Sequence, residues 1–178
     1  AAMGGPRRTP AEAVLALSEA IDVIKAIWDA DERGGVRVAG EHYRVQGAKR
    51  GPAPAHDVQI WLGALKPKML RLIGAKADGW LPSLFYLKDG DLERGNRIID
   101  EAAAEAGRDP REIRRLLNVG PDTPQEQLLE LAQRHGVSTF ILASDDPTVI
   151  ERWASEVVPA LREAVRPVSR EVVRGPKV

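Results

Sequence analysis

Cysteine is absent from this 178-residue chain, which excludes disulfide staples, thiolate metal sites and cysteine nucleophiles and fits a reducing cytoplasm. Net charge is absent too. The 26 Lys and Arg residues balance 26 Asp and Glu, so no overall field exists to gather nucleic acid or an anionic membrane. No apolar run approaches the roughly 20 residues of a membrane helix, and the N-terminus lacks the charged-then-apolar layout of a secretion signal. A cytoplasmic protein with neither nucleic acid nor membrane as partner is expected. Histidine is scarce: His42, His56 and His135 fall on a predicted hairpin, loop and helix end, with no His-x-x-x-His spacing to suggest a metal site. An initiating methionine is also missing. Ala1-Ala2-Met3-Gly4-Gly5-Pro6-Arg7-Arg8 reads as an internal loop leading into a helix, which points to a truncated chain.

What is present is a 43% hydrophobic composition, sufficient at this length for one domain with a buried core. Thr9-Pro10-Ala11-Glu12 is a capping box with proline at the first helical position, where its missing N–H costs nothing. Val14, Leu17, Ile21, Ile24 and Ile27 or Trp28 follow at spacings of three and four, giving one buried stripe until Gly34-Gly35 ends the segment. Val36-Arg37-Val38 and Tyr43-Arg44-Val45 flank Gly40-Glu41 and predict a small hairpin.

From residue 58 short strands alternate with helices, the pattern of parallel βα units. Strands are predicted at 58–62, 79–82, 113–119 and 137–143. The helices run from Pro67 to Lys76, from Leu92 to Ala106, from a second capping box at Thr123-Pro124-Gln125-Glu126 to His135, and from Asp146-Pro147 to Pro167. Leu92, Ile98, Ile99 and Ala102 face inward on the second of these. On the last, Val149, Ile150, Trp153, Val157 and Leu161 form the buried stripe. All four tryptophans, Trp28, Trp61, Trp80 and Trp153, sit in apolar patterns, where core packing is expected.

Four parallel strands with right-handed crossovers place every helix on one face of the sheet. The other face then needs cover, because parallel sheets are buried on both sides. The fold class is therefore α/β, a partial (β/α)8 TIM barrel with a small β-hairpin insertion. Residues 1–166 form the barrel part and 167–178 a polar tail. Either a missing N-terminal half-barrel or a second copy of this chain, a homo-oligomer, would supply the cover.

The stretch Ile60-Trp61-Leu62-Gly63-Ala64-Leu65-Lys66-Pro67-Lys68-Met69-Leu70-Arg71-Leu72 carries the chemistry. A strand ends in small residues and a proline-started helix follows at once, which is an anion-binding geometry: first-turn N–H groups lack helical partners and the helix dipole is positive there. Most βα turns hold small residues simply to make a tight connection, so the bend alone is a weak signal.

Its context is more specific. The segment from Gly63 to Leu72 and the following Ala77-Asp78-Gly79-Trp80-Leu81-Pro82 closely resemble luciferase-like monooxygenases, including their deazaflavin-dependent relatives. Gly40-Glu41-His42-Tyr43 matches that family's Gly-x-His-Tyr hairpin, and Thr139-Phe140-Ile141-Leu142 with Glu156-Val157-Val158-Pro159-Ala160-Leu161-Arg162 resembles its ending. The resemblance covers residues 3 to about 165 and implies strands five to eight of an eight-stranded barrel. It also implies a reduced flavin or deazaflavin that delivers hydride, or activates oxygen, on a small-molecule substrate at the C-terminal mouth. Cofactor phosphate would lie against backbone amides of Gly63, Ala64, Leu65 and Lys66. Lys66 departs from the glycine common before that proline. FMN and coenzyme F-420 are the candidate cofactors, and the opening from Met3-Gly4-Gly5-Pro6 to Glu12 favours the deazaflavin.

The family's catalytic residues lie mostly in the first half of the barrel, so none is assigned here. The chain alone should be a poor catalyst, since protein supplies orientation and electrostatics to a cofactor that carries the chemistry. A non-catalytic half-barrel that dimerises through its open sheet is the competing reading. Among other polar residues, Asp78 reads as turn-forming rather than a general base and Asp146 of the Asp145-Asp146 pair as a helix cap. His42 would stack beside Tyr43, and His135 would sit near helix-end carbonyls. Ser83 and Leu84, just past the second strand, are better placed to border a ligand.

Overall fold

The computed structural model describes residues 6–165, so Met3-Gly4-Gly5 of the opening motif and the predicted polar tail 167–178 lie outside the described residues. Helix α1 (Pro10–Trp28) starts with the predicted capping box: Glu12 N–H donates to the Thr9 hydroxyl at 3.3 Å and Thr9 N–H to the Glu12 carboxylate at 2.7 Å. It ends at Asp29, earlier than the Gly34-Gly35 stop, because that carboxylate accepts the N–H groups of Asp31 and Glu32 and turns the chain away. The predicted stripe is only partly covered. Ile21 is buried while Ile24 is 36% exposed.

Strands β1 (Val36–Ala39) and β2 (Arg44–Ala48) form the antiparallel hairpin. A parallel sheet follows in the order β3 (Trp61–Leu62), β4 (Gly79–Trp80), β5 (Arg114–Val119) and β6 (Thr139–Leu142). The intervening helices are α2 (Pro67–Lys76), α3 (Asp91–Glu105) and α4 (Gln125–His135). The order of elements is the predicted one. The first two strands are shorter than expected, with two residues each in the ladder.

Two local expectations are corrected. Thr123 does not cap α4: its hydroxyl donates instead to the Gly120 carbonyl at 2.9 Å, closing a turn before the helix. The last helix is not uniform either. It runs as α5 (Pro147–Arg152), a π-helical turn over Trp153–Val157, and α6 (Val158–Ala164). Pro159 has no N–H to give the Ser155 carbonyl four residues earlier, and widening the preceding turn is a known accommodation of such a break. Ile150, expected inside, is 47% exposed. The start of α5 does follow prediction, with Thr148 N–H donating to the Asp146 carboxylate at 2.8 Å.

Side-chain direction along β5 separates the two faces of the sheet. Arg115 reaches Asn96 at 2.7 Å and Asp100 at 2.6 Å, both on α3, so residues 115, 117 and 119 face the helices and 114, 116 and 118 face away. Burial lowers the affinity of the Arg115 guanidinium for its proton, and Asp100 opposes that effect. In register with β5, Phe140 and Leu142 lie on the helix face and Ile141 on the other. The helix side holds the main core, in which Trp80, Leu117, Val119, Ile73, Ile99, Leu128 and Trp153 pack together. On the opposite face Trp61 lies over Gly79, where an added Cβ would come within 2.6 Å of its ring.

Candidate functional site

The bend from Gly63 to Lys66 joins the C-terminal end of β3 to the start of α2. Lys66 is the N-cap residue and makes no side-chain capping bond, while its carbonyl accepts the N–H groups of Met69 and Leu70, both at 3.0 Å. Among the described residues, no backbone carbonyl accepts the N–H of Gly63, Ala64, Leu65, Lys66 or Lys68. Donors without partners at a helix start are the raw material of an anion site. Gly63, Leu65 and Lys66 are exposed and Ala64 is half-buried. All four sequence-predicted residues thus come together at one rim of the sheet.

The next loop contributes to the same rim. Ser83 pairs with Asn118, whose side-chain amide donates to the Ser83 hydroxyl at 3.1 Å. Leu84 is partly buried against the core. Just beyond, Phe85 and Tyr86 are 62% and 69% exposed and meet edge to face, with ring centroids 4.7 Å apart. Sequence reading passed over this pair, though adjacent aromatics in a turn outside any apolar periodicity were a visible signal. Trp61 was expected in the core. It is 40% exposed because it stands on the uncovered face of the sheet.

Other candidates separate from the rim. Asp78 lies where the chain enters β4, at the opposite end of the strands, and its carboxylate accepts Ile60 N–H at 2.9 Å and the Lys25 ammonium at 3.1 Å. It is a latch between α1, β3 and β4, in keeping with a structural role. A cavity of about 850 Å³ opens at this end, lined by Lys25, His56, Asp78, Arg108 and Arg114 among others. Within it Lys25 and Arg108 both pair with Asp78, and size alone does not make it the site. His42 binds Arg8 through Nδ1 and its backbone N–H goes to Glu19. The His135 carbonyl takes the Asn96 side-chain amide at 3.0 Å, and its ring lies 3.7 Å from Glu93. No group of three or more metal-ligating side chains occurs among the described residues.

Glu19 is a functional-looking residue that the sequence analysis does not single out. Its carboxylate accepts the N–H groups of Glu41, His42 and Tyr43, each at 2.8 Å. Burial works against ionisation, but the three backbone donors outweigh it and hold the carboxyl below its ordinary range. The effect is to clasp the hairpin tip to α1.

Comparison with known proteins agrees with this architecture. Residues 2–154 match the family model described as luciferase-like monooxygenase. The 5,10-methylenetetrahydromethanopterin reductase of Archaeoglobus fulgidus is 32% identical over 153 residues, which cover 84% of this chain and 44% of that protein. The F-420-dependent glucose-6-phosphate dehydrogenase of Nakamurella multipartita is 34% identical over 97 residues, 48% of this chain and 27% of that protein. Among solved structures, an F-420-dependent secondary alcohol dehydrogenase in complex with an F-420–acetone adduct superposes with a TM-score of 0.72 at 16% identity, covering 93% of this chain and 66% of that one. The chain therefore spans half or less of the length of these curated relatives. With its family model matched over most of its length and its βα order in agreement, the chain belongs to the luciferase-like monooxygenase family.

Proposed function

We propose that this chain is the C-terminal half of a luciferase-like barrel that serves a flavin- or deazaflavin-dependent oxidoreductase. In this reading Gly63, Ala64, Leu65 and Lys66 hold the cofactor phosphate. The observation that carries the reading is the β3–α2 bend, whose amides lack backbone acceptors at the start of a helix. An anionic group there gains hydrogen bonds and a favourable dipole together, so the residues present fit a phosphate-bearing cofactor. The Lys66 side chain adds positive charge nearby. The bound cofactor would supply the hydride-transfer or oxygen-activating chemistry, while this chain anchors it and borders the mouth through Phe85 and Tyr86.

Coenzyme F-420 is favoured over FMN, supported by the F-420-dependent dehydrogenase among the relatives. The half-barrel reading is supported by the exposed apolar face of the sheet, where Trp61 and Ile141 are 40% and 37% exposed, since parallel sheets are normally covered on both sides. A substrate is a small organic molecule reached through the missing half, and the chain by itself is inactive. Supplying the first half of a relative's barrel to the purified chain, then titrating FMN and coenzyme F-420 by fluorescence, tests this. Turnover and tight cofactor binding should arise only in the combined protein, while the bend in the chain alone keeps a weak affinity for the phosphate group. Turnover by the chain alone would overturn the inactive-half reading, and no binding in either form would overturn the cofactor site. The same exposed face also suits closure by a second copy of the chain, which sedimentation equilibrium would reveal as a dimer that binds no flavin.

A further inference from the structure

The bend at residues 63–66 is tied to the core by one buried side chain. The indole N–H of Trp80 donates to the Ala64 carbonyl at 2.8 Å, and Trp80 itself is 1% exposed. A planar trans peptide points its carbonyl and its N–H in opposite directions, and no cis peptide occurs among the described residues. Drawing the Ala64 carbonyl inward to Trp80 therefore turns the Leu65 N–H away from the core. Leu65 is 43% exposed, so this donor is directed outward with no backbone carbonyl to accept it.

The indole in turn is held in place by an absence. Gly95 of α3 faces its six-membered ring, and a Cβ added there would lie 2.3 Å from the nearest ring carbon. A ring atom in a packed core cannot yield that far without moving as a whole. The chain of contacts thus runs from α3, through Trp80, to one peptide plane of the bend.

We propose that Trp80 is a positioning residue for the anion-holding bend: it fixes the Ala64–Leu65 peptide so that the Leu65 N–H is presented to an anionic phosphate before any ligand arrives, and Gly95 provides the space that sets the indole. The inference rests on the reading of the bend given above. Holding a donor in its binding orientation removes an ordering cost that ligand binding would otherwise bear.

The test follows amide and indole N–H signals of the intact 178-residue chain by NMR during titration with inorganic phosphate. In the native chain the Leu65 amide and the Trp80 indole N–H should shift together, because one peptide plane links them. Replacing Trp80 by benzothienylalanine, which keeps the shape but has sulfur in place of N–H, should weaken phosphate binding at Leu65 about tenfold, the scale of losing one buried hydrogen bond. Gly95→Ala, which keeps the donor but displaces the ring, should weaken it in the same sense. A response at Leu65 that is unchanged in both variants would overturn the positioning role. No response at Leu65 in the native chain would instead overturn the phosphate-bend reading itself. Trp80→Phe, checked for folding by circular dichroism, gives a second measure with the donor removed.

Discussion

The two faces of the parallel sheet are made from the same strands and meet opposite conditions. On the helix side Leu117, Val119 and Trp80 are at most 1% exposed, whereas on the other side Trp61 and Ile141 stand 40% and 37% exposed in strands of the same sheet. Alternation along an extended strand sends neighbours to opposite sides, so adjacent residues such as Phe140 and Ile141 diverge in surroundings while sharing a sequence pattern. The comparison teaches that one face is packed within this chain while apolar side chains of the other stay partly exposed. Leu116, also on the far face, is nonetheless 1% exposed, and its methyl and the Trp61 ring both approach Gly79. Even the uncovered side therefore carries a small local cluster rather than a bare surface.

The contrast sharpens most where cavity formation is expected. Leu117→Ala on the helix face should lower unfolding stability by about 3 kcal/mol, measured by urea denaturation, because it leaves a hole in a packed core. A loss below about 1 kcal/mol would mean that the helix face is no better packed than its opposite. An intermediate, local effect is expected at the hairpin clasp. Since the folded Glu19 carboxyl ionises below its ordinary range, its contribution is fully present above the unfolded value and is lost as pH falls through the folded one. Protection of the Glu41, His42 and Tyr43 amides, relative to their intrinsic exchange rates, should therefore fall on acidification below the usual carboxylate range. Glu19→Gln should show faster exchange already at neutral pH, and a pH-independent protection pattern would count against the clasp. The smallest effect belongs to the uncovered face. Ile141→Ser should change stability by no more than about 0.5 kcal/mol, as surface substitutions do, while weakening association with a complementary half-barrel in a pull-down.

Much of this organisation was legible in the residues. The capping box at Thr9, the proline-started helices and the strand–helix alternation after residue 58 are local signals, and each gives the expected element. The bend at 63–66 was also legible, since small residues followed by proline specify a tight connection into a helix. Where local signals competed, reading failed. Thr123 has two short-range options for its hydroxyl, and the turn carbonyl of Gly120 wins over the helix amide. Ile150 and Ile24 fit an apolar period, yet a period says which residues share a face and not how much of that face is covered.

The sequence by itself determined the kinds of elements, their order and the tight β3–α2 connection, because capping, periodicity and turn preference act over a few residues. Only the tertiary structure decided which face of the sheet is buried, that Glu19 closes on a hairpin tip more than twenty positions away, and that the Trp80 indole reaches the Ala64 carbonyl. Those contacts depend on how separate elements come to rest against one another, and a buried donor takes whichever acceptor that packing brings within reach.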